Sequence, residues 1–319
     1  AAYAFQHSDI QFQTNYRRES VLRSEIDSAL PDNPADGGPG AIDTGAGTLG
    51  TFTDERKRLD VGVNAGFVLS PRTTLRLEVA RIDVGYPDQT SLIRSPFDDN
   101  TLGIRLVRLV DQRNQVSARA YFSDFHAVRN DNDSEAFGVQ GAFSRPLSPT
   151  WTMDLSAGVA RTDYTFVTTT GGIVDNAVNN FTFDTSFRKR SELTTWTIEL
   201  GRSIDPNSNG FLSARDDLRV RVAHQFRTRL AASFGVRGSR VDTPAETVGG
   251  GFDRDYWRAS FQIDWQMTRR WLLTTGIDHV TEEFTQNQGD AKSNAVLVGV
   301  RYQGLAQQTN RPISTPVNR

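Results

Sequence analysis

The sequence predicts an all-β chain: a transmembrane, antiparallel, up-and-down β-barrel of about 14 strands, within a range of roughly 12–16. Three observations predict it. Segments of about 10–15 residues alternate apolar and polar side chains, the period-two mark of strands. Short and long connections alternate along the whole chain. The face opposite each apolar one carries Arg, Asp and Glu, which neither lipid nor an unpaired dry core accepts cheaply.

Composition is compatible with this and excludes other classes. The chain has 319 residues, 37% hydrophobic, with a mean hydropathy of −0.47. No run approaches the ~18 consecutive apolar residues of a transmembrane helix. Barrel strands escape hydropathy averages because half of each strand is polar. A net charge of −2 and a pI near 6.1 point to no nucleic-acid partner. Cysteine is absent, which removes disulfides, thiolate metal sites and cysteine nucleophiles. The opening "AAYAF" lacks a basic n-region and an apolar h-region, as expected of a chain cut after a small-residue site.

The connections set the strand count. Short ones are "SPRT" (70–73), "DQRN" (111–114), "RPLSP" (145–149), "RKRS" (188–191), "RTR" (227–229) and "MTRR" (267–270). Longer ones, rich in Gly, Asp, Asn and Pro, fall near 24–54, 88–98, 129–134, 167–178, 205–212, 244–252 and 284–291. Tight turns on one side and long loops on the other are what a membrane-spanning meander requires. Seven long and six short connections give about fourteen strands and put both chain ends on the short-turn, periplasmic side. The count needs two strands in 178–204, with a turn at "RKRS". Loop 28–50 lacks periodicity and reads as a disordered surface loop, with a lid or folded-in constriction as the functional alternative.

Each strand then has an oily face. In order these include Leu59 to Leu69, Leu75 to Val79, Leu102 to Leu106, Val116 to Phe122, Phe137 to Phe143 and Trp151 to Val159. Further along come Phe181 to Phe187, Trp196 to Leu200, Leu218 to Val222, Leu230 to Val236, Trp257 to Trp265, Trp271 to Ile277 and Val296 to Tyr302. Trp257 and Trp265 lie eight residues apart on one face. At about 3.3 Å per residue and ~40° tilt that spans roughly 20 Å, close to the separation of two aromatic girdles. Trp151, Trp265 and Trp271 adjoin short turns, and Tyr302 ends the last periodic strand; with Trp257 these are the expected membrane-interface aromatics.

The alternate faces supply the candidate solute path: Arg76, Arg105, Arg119, Tyr121, Glu199, Arg219, Arg221, Arg237, Arg258, Asp264, Asp278 and Arg301. Arginine far outnumbers lysine, which occurs only at Lys57, Lys189 and Lys292. Guanidinium forks pair with carboxylates, sulfates and sugar hydroxyls. Arg219 and Arg221 share one strand, with Arg237 on the next and Arg258 on the one after. Flanked by Glu199 and Asp264, that ladder would set a transverse field across a pore. The alternative is a salt-bridge lattice that stiffens the wall.

Three stretches resemble a family of outer-membrane barrels encoded with bacterial exopolysaccharide and exosortase systems: "TTWTIELGRSIDPNSNGFLSARDDLRV" (194–220), "FDRDYWRASFQIDWQMTRRWLLTTGIDHV" (252–280) and "SNAVLVGVRYQG" (293–304). The resemblance implies a barrel in the outer membrane that passes secreted polysaccharide, with "DPNSNG" (205–210) as an extracellular turn. It implies no residue-level mechanism.

Catalytic and metal signatures are few. No G-x-S-x-G, H-E-x-x-H or phosphate loop occurs in a suitable context. His126, near Ser123 and Asp124, permits a Ser-His hydrolase reading, but a solvated loop histidine is the simpler one. "NDNDS" (130–134) offers oxygen ligands for calcium but lacks an EF-hand loop, so a polar turn is expected.

The expected organisation is a barrel over 1–304 and a polar periplasmic tail over 305–319. The expected function is a non-enzymatic outer-membrane pore, without cofactor or metal, passing a hydrophilic solute through an Arg-lined, water-filled lumen. Exported exopolysaccharide is the expected cargo. A sugar-uptake porin and a plugged scaffold barrel are the alternatives. Outer-membrane lipid and lipopolysaccharide, a polysaccharide and periplasmic export components are the expected partners.

Overall fold

Side-chain alternation in the sequence becomes alternation of burial in space. In the computed structural model of the chain, Asn132 through Val139 switch strictly between buried and exposed, residue by residue. The structure describes residues 2–4, 8–20, 55–87, 95–128, 132–167, 173–206, 212–242, 254–284 and 290–302. Loop 24–54, tail 305–319 and most of 205–210 lie outside the described residues.

Among the described residues fifteen strands follow one another: β1 (Ala2–Ala4), β2 (Ser8–Ser20), β3 (Glu55–Ser70), β4 (Thr73–Gly85), β5 (Phe97–Leu109), β6 (Gln115–Ala127), β7 (Asn132–Ser148) and β8 (Trp151–Val167). The second half holds β9 (Ile173–Arg190), β10 (Thr194–Pro206), β11 (Leu212–Arg227), β12 (Leu230–Asp242), β13 (Arg254–Gln266), β14 (Trp271–Phe284) and β15 (Ala291–Tyr302). Every strand pairs antiparallel with its successor in a single sheet. The fourteen long strands β2–β15 form the up-and-down wall of an outer-membrane barrel. β1 is a three-residue strand that pairs with Asp9 to Gln11 on the edge of β2 away from β3. Among the described residues no ladder joins β15 to β2.

The turn assignment holds, with shifts that have local causes. Region 178–204 contains two strands, but β9 continues through "RKR" and the break comes after it. There Ser191 Oγ accepts a hydrogen bond from Thr194 N at 3.2 Å. β7 likewise runs through "RPLS" to Ser148; the register slips between Pro146 and Ser148, where a strand tolerates a proline that cannot donate to the ladder. On the other side the expected loops 129–134 and 167–178 shrink to residues 128–131 and 168–172, because the strands continue into them. Their outward faces turn polar there (Arg161, Asp163, Asp175, Asn179), which reads as loop in sequence but still pairs as a ladder.

Orientation follows the sequence. Leu102, Trp257 and Val298 stand outward at 58%, 50% and 68% exposure. In water such a continuous oily belt would be a severe liability; in lipid it is the stabilising surface. Trp257 lies over Gly238, where a Cβ would come within 2.7 Å of the indole, so glycine leaves the ring its seat. At the short-turn end Trp271 and Tyr302 face each other in register, ring centroids 5.1 Å apart. Trp151 lies under the Lys189 ammonium at 5.2 Å. These aromatics form the girdle at that rim. The belt, the girdle and the outer-membrane fold place the protein in a bacterial outer membrane.

Candidate transport lumen

All twelve path residues read from the sequence share strand parity with the inward face. Four of them fall in one row. The ladders put Glu199 opposite Arg219, Arg219 opposite Arg237, and Arg237 opposite Arg258, across β10–β13. Arg219 Nη1 lies 3.8 Å from Glu199 Oε2, and Arg188 Nη2 reaches Glu199 Oε1 from the other side at 3.5 Å. Arg258 forks onto Asp278 of β14, with Nε donating to Oδ1 at 2.9 Å. Asp264 accepts from Thr274 Oγ1 at 2.7 Å and from Gln262. Bidentate and shared pairs of this kind hold long side chains in fixed places.

A second ionic knot lies on the opposite wall. Glu78 of β4 is 3.1 Å from Arg105 Nε on β5 and 2.9 Å from Arg119 Nη2 on β6. Gly103 stands opposite Glu78 in the ladder, and a Cβ there would come within 3.2 Å of Glu78 Oε2 and 3.5 Å of Arg119 Nε. Absence of a side chain on β5 is what lets one carboxylate span two strands. Arg119 also lies over the Tyr121 ring at 5.1 Å, and Tyr121 in turn fills the space above Gly138. Arg76 and Arg301 are exposed near the short-turn end, and Arg221 lies between them and the Glu199 row. This half of the lumen is wet: Arg188 is 49% exposed although it faces inward.

The other half is not. Toward the long-loop end the inward faces of five consecutive strands, β4–β8, meet in an apolar cluster of Val84, Phe97, Phe125, Ala136 and Tyr164, joined by Leu212 at the first position of β11, each at most 4% exposed. Phe97 and Phe125 pack with ring centroids 5.3 Å apart. Tyr164 Oη donates to the carbonyl of Leu212 at 3.2 Å. β8 and β11 are three strands apart. In a round barrel of about fourteen strands with ~4.8 Å spacing and ~40° tilt that chord is roughly 17 Å, beyond the reach of a tyrosine and one hydrogen bond, so the two strands lie closer here than a circle allows. Buried ions lie toward the same end: Arg215 pairs with Asp217 at 2.8 Å, Arg254 pairs with Glu282, and the Arg56 guanidinium is 5.9 Å from the Phe97 centroid.

The described inward residues thus divide by depth: ionic and partly exposed toward the short-turn end, apolar and buried toward the long-loop end. A sequence signal for this exists in parity: Phe97 shares a face with Arg105, Phe125 with Arg119, and Tyr164 with Asp154. Counting apolar residues without asking which charges share their parity hides it.

The remaining candidates separate. Ser123 faces inward and donates to Asp99 of β5, whereas His126 faces outward and contacts Asp133 of β7. The two are on opposite sides of the sheet and form no Ser-His pair. In "NDNDS", Asn132 and Ser134 are buried inward while Asp133 points outward, so these oxygens do not converge on one ion. Among the described residues no group of three or more His, Asp or Glu side chains could hold a metal.

No protein-family model matches the chain, and no curated protein does. Solved structures with the same fold are found. The ferric citrate transporter FecA, in its unliganded form, superposes with a TM-score of 0.57 at 11% identity, covering 95% of this chain and 54% of that one. The iron transporter FrpB from Neisseria meningitidis gives 0.54 at 9% identity, covering 96% and 57%. FpvA from P. aeruginosa, in complex with a heterologous ferric pyoverdine, gives 0.52 at 9%, covering 94% and 51%. The chain thus spans about half the length of these neighbours, and the likeness is one of fold.

Proposed function

We propose that the protein is an outer-membrane conduit for a hydrophilic solute, held shut at its extracellular end by the apolar cluster. One observation carries this reading: inward side chains that are ionic toward the short-turn end and buried and apolar toward the long-loop end, where Tyr164 donates to the Leu212 carbonyl across strands that share no ladder. Fixed guanidinium rows suit a polar, hydroxyl- or carboxylate-rich solute moving by successive weak contacts. The apolar cluster opposes its passage until the wall relaxes. The fold neighbours are named as transporters, which supports the transport class. The resemblance to exopolysaccharide-associated barrels supports a secreted polysaccharide as cargo. Energy for movement comes from upstream machinery, and no covalent chemistry is required.

A plugged scaffold barrel is the second reading, and the same buried cluster favours it. Planar-bilayer recording separates the two. The wild-type chain should conduct poorly, and Phe125→Ala should open steady conductance that oligosaccharides block. A silent Phe125→Ala barrel, folded by heat-modifiable migration, would leave only the scaffold.

A further inference from the structure

The two rims of the barrel differ in charge. Strand tips and turns at the short-turn end (70–73, 108–114, 145–151, 189–194, 226–230, 267–271 and 301–302) carry eleven Lys or Arg against two acids, Asp111 and Glu192, a surplus of nine. The rest of the chain holds 25 Lys or Arg against 36 Asp or Glu, a deficit of eleven, and together they give the net −2. Pairing differs too. Outward arginines above the belt on the other side are ion-paired: Arg81 with Asp98, Arg161 with Asp163, Arg202 with Asp216, Arg240 with Asp242. Among the described residues no carboxylate lies within salt-bridge distance of any of the eleven rim cations, and ten of them are exposed.

We propose that this rim is a docking surface for anionic phospholipid headgroups of the periplasmic leaflet. Three features favour lipid over a polymer entering the lumen. Arg108, Arg145 and Lys189 share parity with Leu106, Phe143 and Phe187, so they point away from the lumen on the face of the oily belt. The cations adjoin the girdle: Lys189 lies over Trp151, Arg270 precedes Trp271, and Arg301 precedes Tyr302. That is the depth of the phosphates, where long cationic side chains lay their stems on hydrocarbon and their heads on anions. Finally, every short turn contributes, as an annulus of lipid around the wall demands and a single entering strand of polymer does not.

The test titrates the detergent-purified full chain with phosphatidylglycerol or phosphatidylethanolamine and counts retained lipids by native mass spectrometry. Wild type should retain phosphatidylglycerol preferentially. Arg108→Gln/Arg145→Gln/Lys189→Gln should weaken that retention by about tenfold or more and leave phosphatidylethanolamine unchanged. Equal retention of the two lipids, or a folded triple variant that binds phosphatidylglycerol like wild type, overturns the proposal. So does a soluble polyuronate that displaces phosphatidylglycerol from wild type and binds the triple variant undiminished, which assigns the rim to polymer capture. Should the triple variant fail to fold, salt decides on wild type: high ionic strength must strip phosphatidylglycerol but not phosphatidylethanolamine.

Discussion

The phenol of Tyr164 on β8 donates to the backbone carbonyl of Leu212 on β11 at 3.2 Å, joining two strands that share no ladder. Tyr164→Phe removes only that bond and should cost about 1 kcal/mol of stability. Tyr164→Ala also empties a well-packed site and should cost roughly 3–5 kcal/mol. The order of the two, read from urea-induced loss of heat-modifiable migration, checks the cluster. If both variants matched wild type, the wall would not be tied across the lumen.

Glu78 serves two cations, so removing its charge should leave both exposed to the lumen. In the Phe125→Ala background, where the pore is open, Glu78→Gln should shift ion selectivity toward anions. Arg119→Gln in the same background should shift it toward cations. Reversal potentials under a salt gradient measure both. Because Glu78 is 20% exposed, water moderates the loss, and the expected destabilisation is modest, on the order of 1 kcal/mol.

How much of this was legible in sequence depends on what parity can encode. Membrane orientation was, because lipid leaves no ambiguity: Phe261 and Val298 had to face out once Arg258 and Arg301 were on the alternate positions. The Glu199–Arg219–Arg237–Arg258 row was half legible; the residues were evident, but their shared level depends on ladder register, which the chain does not display. The joining of β4–β8 with Leu212 of β11 in the apolar cluster has no signature in the chain, because it is a contact with no local period. Loops 128–131 and 168–172 are shorter than the sequence implies, since a polar ladder above the membrane resembles a loop to a hydropathy count. Gly103 carried no local signal at all: its role follows from Glu78 and Arg119 on flanking strands.

Asp111 caps the turn between β5 and β6. Its carboxylate is held below the ordinary range, first by the backbone N–H of Arg113 at 2.7 Å, then by the side chain and backbone N–H of Asn114. A depressed carboxylate contributes stability that is present above its unfolded pKa of about 3.9 and is lost as pH falls through its folded value. The stability gap between wild type and Asp111→Asn should therefore be constant above about pH 5 and close as pH drops below about 4. Urea midpoints across pH 6 to 2 read it. A gap that persists unchanged in acid would mean that the neutral carboxyl caps the turn equally well.

Among the described residues no ladder joins the outer edges of β2 and β15. In hydrocarbon every backbone N–H and C=O needs a partner, so these edges must be joined when the protein is in lipid. β1 covers only Asp9 to Gln11 of β2, which leaves the rest of that edge to receive β15. The chain contains no cysteine, so introduced pairs report cleanly. Thr14→Cys combined in turn with Val296→Cys, Val298→Cys or Val300→Cys samples one outward face in three registers. Disulfide geometry accepts Cα separations of about 4.4–6.8 Å, so only the paired register should oxidise within one chain. A monomeric cross-link, seen as a faster-migrating reduced-sensitive band, would fix the closing register. Cross-links that form only between chains would instead mean that a second copy completes the wall, since β15 would then be pairing with a strand other than its own β2.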